Sequence, residues 1–285
     1  MNVPADRPEW LKKCVPASFL ASRIPQMIND LGIHTVCSSA VCPNMGECYG
    51  RGTATFMILG GTCTRGCRFC AVPKGVPDPL DPAEPAKVAA AVKTLGLKHA
   101  VITSVTRDDL PDGGAGQFAA VIGEIRDKCP QTRVEVLVPD FRGDTAALAT
   151  VLRAVPDVFN HNIETVPGLY GAVRPQADYR RSLQTLEYAA KRGGTRVKSG
   201  LMLGLGESER ELLAVLGDLR SVGVEILTMG QYLAPSAQHY PVKQYVRPEQ
   251  FDLYRQAALS LGFHHVAAGP FVRSSYWAEK QLEQP

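Results

Sequence analysis

Two kinds of hydrophobic pattern alternate along most of the chain. Short apolar runs with strand character are followed by longer segments in which apolar residues recur every three or four positions, as on one face of a helix. Asp144 and Ser208 stand where helices would begin, and Gly193 and Gly223 stand where helices would end. The predicted strands are 53–59, 100–105, 134–138, 158–163, 197–203 and 225–232, and the predicted helices are 86–95, 117–128, 145–154, 179–192, 208–222 and 248–261.

This alternation predicts a fold of the α/β class. Strands that are each followed by a helix imply parallel strands joined by right-handed crossovers. With six such units, we expect a partial (β/α)6 barrel of the TIM type, and a doubly wound open sheet is the alternative. Residues before 53 lack a regular period apart from a short helix near 25–30. We therefore predict an N-terminal extension (1–52), the barrel (53–262) and a C-terminal extension (263–285).

Composition and charge narrow the class of protein only a little. The 285 residues are 45% hydrophobic and 21% charged, as in ordinary globular proteins, and the net charge of +3 is too small to indicate nucleic acid binding. No run approaches the ~18 apolar residues of a membrane span. The first residues lack the apolar segment of a secretory signal. We therefore expect a cytoplasmic protein in a reducing compartment, with neither nucleic acid nor membrane as a partner.

The cysteines point to a specific chemistry. Six of the eight cysteines fall between positions 37 and 70, and without a secretory signal such a cluster favours metal binding over disulfides. Cys63, Cys67 and Cys70 have the spacing C-x3-C-x2-C in the loop after the first predicted strand. Three thiolates can hold three irons of a [4Fe–4S] cube and leave the fourth iron open to a small molecule. Zinc is the competing metal, although structural zinc sites are closed by four protein ligands.

A second group of cysteines precedes the first predicted strand. Cys37, Cys42 and Cys48 have the spacing C-x4-C-x5-C and again provide three ligands, so a second cluster would need one more donor from elsewhere in the chain. A zinc knuckle completed by His34 or Cys14 is the alternative. Because the two triplets are adjacent in the sequence and each provides three cysteines, we favour two clusters.

Together these motifs resemble those of the lipoyl synthases, a family of the radical S-adenosylmethionine (SAM) superfamily. C-x3-C-x2-C is the superfamily signature, and Phe69 matches the aromatic residue usual before its last cysteine. The combination with C-x4-C-x5-C and with Arg273-Ser274-Ser275-Tyr276 is specific to the family, although Ala71 stands where the family often has Asp. The resemblance covers nearly the whole chain and includes CPNMGECY at 42–49, GGTCTRGCRFCAV at 60–72, TSVTRDDLPDGGA at 103–115, HNIETV at 161–166, KSGLMLGLGE at 198–207 and GPFVRSSY at 269–276.

The resemblance implies an activity and its partners. The implied reaction is the radical SAM-dependent insertion of two sulfur atoms at C6 and C8 of an octanoyl chain, carried on a lysine of a lipoyl-carrier domain. Such carriers are domains of 2-oxoacid dehydrogenase complexes and the H protein of the glycine cleavage system. The implied electron donor is a protein such as ferredoxin or flavodoxin. The chain would then be a transferase of lipoate biosynthesis.

The resemblance also implies which residues bind the two clusters. The SAM-cleaving [4Fe–4S] cluster would be held by Cys63, Cys67 and Cys70. An auxiliary [4Fe–4S] cluster that gives up its sulfide would be held by Cys37, Cys42 and Cys48, with Ser275 as its fourth ligand. Serine oxygen is a hard ligand and a poorer partner than thiolate for iron in a sulfide cube, which suits a cluster that must come apart.

Further residues are candidates for binding SAM or the cluster region. Asn162 and Glu164 alternate in direction with Ile163, so this polar pair should face the barrel interior, where it needs a ligand or partner. Gly204 and Gly206 in GLMLGLGE would let the backbone approach SAM, and close packing is the alternative. Lys198 and Arg273 complete the predicted cofactor-binding set.

Two other classes of protein stay open at the level of sequence. One is a non-catalytic iron–sulfur or zinc protein, and the other is a different radical SAM enzyme with an auxiliary cluster. A ferredoxin-like carrier would be small and would close its clusters with four cysteines. This chain instead has two open triplets on a barrel-sized scaffold, which favours an enzyme.

Overall fold

The predicted strands form one sheet in chain order. The computed structural model describes residues 7–12, 24–39, 42, 44, 47–48 and 55–282. The first strand is antiparallel to the second, and all later neighbours are parallel. The strands are β1 (His34–Thr35), β2 (Thr55–Ile58), β3 (His99–Ser104), β4 (Arg133–Leu137), β5 (Val158–Asn160), β6 (Arg196–Leu203), β7 (Ile226–Gln231) and β8 (His265–Gly269).

Helices follow the parallel strands, as the hydrophobic pattern predicts. The predicted N-caps are confirmed: Asp144 accepts from the backbone N–H of Ala146, and Ser208 forms a capping box with Glu211. The helices are α1 (Ile24–Asp30), α2 (Val36–Ser39), α3 (Glu84–Leu95), α4 (Ala115–Lys128), α5 (Thr145–Arg153), α6 (Tyr170–Val173), α7 (Tyr179–Arg192), α8 (Glu209–Ser221) and α9 (Pro248–Ser260). Short 3-10 turns occur at Glu9–Leu11, Phe141–Gly143, Pro167–Leu169 and Ala278–Leu282.

The core lies between the sheet and the helices that cover its outer face. Strands β2 and β7 are buried along their whole length, as expected for parallel strands covered on both faces. In α8, the buried residues Leu212, Val215, Leu216 and Leu219 form one stripe at helical spacing. A single cavity is lined by residues of β2, β3, β4, β6 and β7, which requires the sheet to curve into a partial barrel.

The barrel has one parallel strand more than predicted. β8 pairs with β7, and Gly230 is aligned with Gly269. The segment HHVAAG lacks the run of large or β-branched residues that indicates a strand, so its pairing depends on β7 as a neighbour. β8 thus belongs to the same sheet although it falls in the predicted C-terminal extension. The division of the chain at 52 and 262 stays a prediction.

Two further predictions concern the N-terminal part and the fourth strand run. The short helix near 25–30 is observed as α1, whereas Cys14 lies outside the described residues. β5 ends at Asn160, before the predicted end at 163, and Glu164 then has a left-handed conformation with φ 66° and forms an isolated bridge with Leu201. Among the described residues, no helix is both long and apolar enough to cross a bilayer.

Candidate active site

A cavity of about 370 Å³ runs from the barrel interior to the carboxyl ends of the strands. Cysteines of both triplets contribute to its wall, and so does the C-terminal motif. The predicted ligands that line it are Cys37, Cys42, Cys63, Cys67, Cys70 and Ser275. Residues separated by more than 200 positions in the sequence therefore meet in one space, where barrel enzymes carry their chemistry.

The C-x3-C-x2-C loop is attached to the barrel through its backbone. Cys63 donates its N–H to the carbonyl of Pro73, and Thr64 donates to the carbonyl of Thr106 in the loop after β3. The N–H groups of Arg65 and Thr106 lie 3.4 and 3.3 Å from the sulfur of Cys63. These donors orient the Cys63 sulfur, and hydrogen bonds to the sulfurs are one of the means by which a protein tunes an iron–sulfur cluster.

A buried charge network also holds this loop. The Arg65 guanidinium donates to both carboxylate oxygens of Asp108, at 2.7 and 2.9 Å, and pairs with Asp140 at 2.7 Å. Asp140 has no exposed side-chain surface and also accepts from Arg181 at 2.7 Å. Burial by itself would raise the pKa of Asp140, but the Arg65 guanidinium outweighs it and keeps the pKa far below its usual range. Sequence reasoning missed Arg65, although its position between Cys63 and Cys67 was a usable signal.

The thiols of the cavity are shielded from water to different degrees: Cys37 is buried, and the others are half-buried. Burial raises the pKa of Cys70 and of Cys37 to about 11. The pKa of Cys67 is also raised by burial, against the opposing effect of the Arg174 guanidinium. A cysteine must lose its proton to bind a metal, so these sulfurs need a positive charge close by. Iron at the cavity would supply that charge, and the residues present therefore fit a cluster.

The first triplet lies between the first parallel strand and the C-terminal motif. Cys37 is buried in the core, within hydrogen-bond reach of Thr55 in β2. The Asn44 amide donates to the carbonyl of Phe271 at 2.6 Å, and the Tyr276 hydroxyl donates to Glu47 at 3.0 Å. Cys48 lies close enough to Tyr276 to affect it electrostatically, but it is not part of the cavity wall. Cys37 and Cys42 thus line the cavity, and Cys48 does not.

The C-terminal motif enters the barrel interior. Ser274 and Asn162 exchange hydrogen bonds: the amide donates to the Ser274 hydroxyl at 2.8 Å, and the hydroxyl lies 3.1 Å from the amide oxygen. Within the described residues, no hydrogen bond occupies the Ser275 hydroxyl, which lines the cavity. Arg273 also lines the cavity, and burial lowers its pKa although Cys42 opposes this effect. The geometry leaves Ser275 available as a ligand.

Asn162 and Glu164 line the cavity as a connected pair, with 3.1 Å between the amide nitrogen and the carboxylate. Burial raises the pKa of Glu164, against the effect of Arg174. Arg174 itself lines the cavity and donates to the carbonyls of Asn162 and Ile163, both at 3.1 Å. Its Nε is buried and has no hydrogen-bond partner among the described residues. Sequence reasoning missed Arg174, since the residues around it, at 167–178, carry no pattern of their own.

The other predicted contacts lie away from the cavity wall. Lys198 is fully buried beneath it, where its ammonium contacts Glu135 at 2.7 Å and the Ser274 carbonyl at 2.6 Å. Gly204 has φ 93°, and a Cβ there would lie 2.2 Å from the carbonyl oxygen of Gln244. Gly206 has φ 113° and packs near Lys243. Close packing accounts for Gly204 and the positive φ for Gly206. A role of these three residues in binding SAM stays a prediction.

Comparison with known proteins adds independent evidence. A family model described as the radical SAM superfamily matches residues 57–219. The chain is 56% identical over 278 residues to the lipoyl synthase of Rubrobacter xylanophilus, covering 97% of this chain and 87% of that protein. It is 54% identical over 282 residues to the lipoyl synthase of Citrifermentans bemidjiense, covering 98% of this chain and 96% of that protein.

Solved structures share the fold at low sequence identity. SuiB of Streptococcus suis bound to S-adenosylmethionine superposes with a TM-score of 0.59 at 10% identity, covering 74% of this chain and 49% of that one. Methylornithine synthase superposes with a TM-score of 0.54 at 12% identity, covering 80% of this chain and 76% of that one. These likenesses concern the barrel, whereas the identity to the two relatives spans nearly the whole sequence. On this evidence, the chain belongs to the lipoyl synthase family of the radical SAM superfamily.

Proposed function

We propose that this protein inserts two sulfur atoms at C6 and C8 of a protein-bound octanoyl-lysine and so forms the lipoyl group. One observation carries the proposal: cysteines of both triplets and Ser275 line the same cavity. A carrier of electrons has no need of two open cluster sites that face a common space. Such an arrangement suits an enzyme that must bring together a hydrogen-abstracting group, an alkyl chain and a source of sulfur.

The division of labour follows from the ligands. Cys63, Cys67 and Cys70 hold the cluster whose open iron binds SAM, and Cys37, Cys42, Cys48 and Ser275 hold the auxiliary cluster. When bound, SAM and its cluster supply the radical that removes hydrogen from the alkyl chain, and the auxiliary cluster supplies sulfide. The chain itself holds these groups in one space and keeps water away from them.

The polar part of the wall is suited to SAM. Glu164 and Cys67 are close enough to affect each other electrostatically, and a carboxylate there suits the sulfonium cation of SAM. Arg174 offers a buried Nε without a partner among the described residues, which suits the carboxylate of SAM. Asn162 connects Glu164 to Ser274 and so links this part of the wall to the auxiliary site.

The apolar part of the wall is suited to the substrate. An octanoyl chain is a flexible hydrocarbon, and it gains about 0.8 kcal/mol for each CH₂ group removed from water. Apolar side chains line the cavity between the two cysteine groups and would exclude water from the reacting carbons; they are Val72, Val105, Leu137, Leu201, Met202 and Val272.

The partners belong to the same proposal. The substrate protein is a lipoyl-carrier domain, either of a 2-oxoacid dehydrogenase complex or of the glycine cleavage H protein, and the electron donor is a ferredoxin or flavodoxin. The described cysteines are free thiols, which is the state that cluster assembly needs. A reducing cytoplasm would maintain this state.

The decisive experiment uses the reconstituted, full-length protein with SAM, dithionite and an octanoyl-lysine peptide. We expect about eight irons per chain, because each triplet suits one cube. Mass spectrometry should detect peptide that has gained two sulfur atoms, together with 5′-deoxyadenosine. Formation of 5′-deoxyadenosine without any thiolated peptide, on either the peptide or an octanoylated carrier domain, would contradict sulfur insertion and leave a different radical SAM reaction.

A further inference from the structure

The interior of the barrel is shaped to receive the C-terminal motif. Gly230 of β7 faces residues 272–273, and a Cβ there would lie 2.0 Å from the carbonyl oxygen of Val272. A Cβ at Gly200 of β6 would lie 2.5 Å from the Thr228 hydroxyl, 2.9 Å from the amide oxygen of Asn162 and 3.2 Å from the Ser274 hydroxyl. Neither glycine has a positive φ, so both are required for space rather than for backbone conformation.

A buried ammonium lies directly beneath this segment. Lys198 on β6 has no exposed surface, and its Nζ is 2.7 Å from Glu135 and 2.6 Å from the carbonyl oxygen of Ser274. Glu135 is 1% exposed and also contacts His99 at 3.3 Å and the Asn160 amide at 3.2 Å. Removing two opposite charges from water costs more free energy than their mutual attraction provides, unless the pair makes further hydrogen bonds. The hydrogen bond to Ser274 is such a further contact.

The position of Lys198 separates it from the cavity. Ser274 and Ser275 are part of the cavity wall, whereas Lys198 is not. Lys198 therefore meets the chemistry only through the backbone of Ser274, the residue before the proposed serine ligand. Asn162 holds the hydroxyl of the same residue from the opposite side, at 2.8 Å. Ser274 is thus fixed at two points, and Ser275 is left with a free hydroxyl at the wall.

We propose that Lys198 is a positioning residue, which holds the Ser274 carbonyl in a socket formed by Gly200 and Gly230 and thereby places Ser275 at the auxiliary site. The placement of the segment stands on the contacts of the protein alone. Only the role given to Ser275 rests on the proposed function. The charge of Glu135 keeps the ammonium in place, so the two residues act as a unit.

The first test measures hydrogen–deuterium exchange in the full-length, metal-free chain. Lys198→Met alone would leave the Glu135 carboxylate buried and unpaired, so it is combined with Glu135→Gln, which removes both charges and retains the acceptor for His99 and Asn160. Arg196→Met is the matched control, since it removes a half-exposed cation from the same strand. We expect exchange at 271–276 to rise about ten-fold in the double variant, as for the loss of one hydrogen bond to a charged donor, while β5 and β7 stay protected.

A second variant reaches the same segment without changing any charge. Gly230→Ala should displace Val272 and raise exchange over the same residues. Gly123→Ala on α4 is its control, because a Cβ there meets no atom within 4 Å. Unchanged exchange at 271–276 in both the double variant and Gly230→Ala would overturn the proposal. An equal rise across all strands would also overturn it, since that result assigns Lys198 to general stability.

The second test follows the reaction of the reconstituted protein. We expect the amount of thiolated peptide per 5′-deoxyadenosine to fall about ten-fold in the double variant, because the serine ligand is no longer held in place. A loss of 5′-deoxyadenosine with an unchanged ratio would instead assign Lys198 to SAM binding and contradict positioning. Because the exchange measurement needs neither iron nor substrate, failure of the proposed function would leave its result intact.

Discussion

Cysteines of both triplets line one cavity, but different parts of the molecule hold them there. The second triplet is carried by a loop between β2 and α3 and is fixed by the barrel, through Arg65, Asp108 and Asp140. In the described part of the chain, the first triplet is held by the barrel only at Cys37, which lies beside Thr55, and otherwise by the other end of the chain, through contacts from Asn44 to Phe271 and from Tyr276 to Glu47. These last contacts join residues 227 and 229 positions apart.

The difference separates the two proposed cluster sites. The residues that support Cys63, Cys67 and Cys70 belong to successive strand–loop units of the barrel, whereas Cys37, Cys42 and Cys48 lie where the two ends of the chain meet. In the proposed function, the cluster that gives up its sulfide is the one at this junction of two terminal segments. The following changes would break or sharpen this contrast.

Removal of one cysteine from each triplet should have the largest effect. Cys63→Ala should abolish SAM cleavage, since the iron that binds SAM would be lost. Cys37→Ala should still produce 5′-deoxyadenosine but no thiolated peptide. Quantification of both products by mass spectrometry distinguishes the variants, and Cys129→Ala serves as the control outside both triplets. Thiolated peptide from Cys37→Ala at the wild-type ratio would show that the auxiliary cluster is not the source of sulfur.

Arg65→Met should remove the barrel's hold on the second triplet. The change removes the ion pairs of Arg65 with Asp108 and Asp140, and it leaves the buried Asp140 paired with Arg181 alone. We therefore expect the free energy of unfolding to fall by about 3–5 kcal/mol. Urea unfolding of the metal-free chain measures this loss. Arg255→Met removes an exposed ion pair and should change stability by less than about 1 kcal/mol. Equal effects of the two changes would refute a special role of Arg65.

Acid should weaken the barrel side of the site. His161 donates from Nδ1 to the Val138 carbonyl at 2.9 Å, and its Nε2 lies 3.1 Å from the Ser182 hydroxyl. Burial, together with the Arg174 charge, lowers the pKa of His161 from 6.5 to about 4. Below pH 6.5 the unfolded chain therefore binds a proton that the folded chain does not, and stability falls as the pH drops towards 4.

The size of this pH effect can be measured directly. A pKa shift of this extent lowers the free energy of unfolding by on the order of 3 kcal/mol between pH 7 and pH 4. Unfolding curves of the metal-free chain at several pH values measure this change. His161→Gln should remove most of the pH dependence of the free energy of unfolding between pH 6.5 and about 5. A variant that keeps the full slope in that range would assign it to other groups.

Tyr276→Phe should have the smallest effect and should act on the first triplet alone. The change removes one hydrogen bond to Glu47, which is worth about 1 kcal/mol. We expect a chelator to remove the auxiliary cluster faster, while the rate of SAM cleavage stays the same. The rate of iron release measures the first quantity. Faster release of iron from both clusters to the same degree would argue against separate support of the two triplets.

Local signals in the sequence were sufficient for the elements and for the cysteines. The six strands between 53 and 232 and the caps at Asp144 and Ser208 follow from side-chain periodicity and from backbone donors, both of which act between near neighbours. The two cysteine spacings are equally local. For this reason the fold class, the pair of triplets and the family could all be inferred before any contact was known.

The tertiary structure alone decided what supports these elements. β8 forms a strand because β7 offers it a partner, and Cys48 is not part of the cavity wall although it shares a motif with Cys37 and Cys42. Lys198, whose predicted role in binding SAM stays a prediction, is buried against Glu135 and Ser274, 63 and 76 positions away. The energy of a buried charge depends on which groups surround it in space. No local pattern records those neighbours, so their identity emerges only when the sheet curves around them.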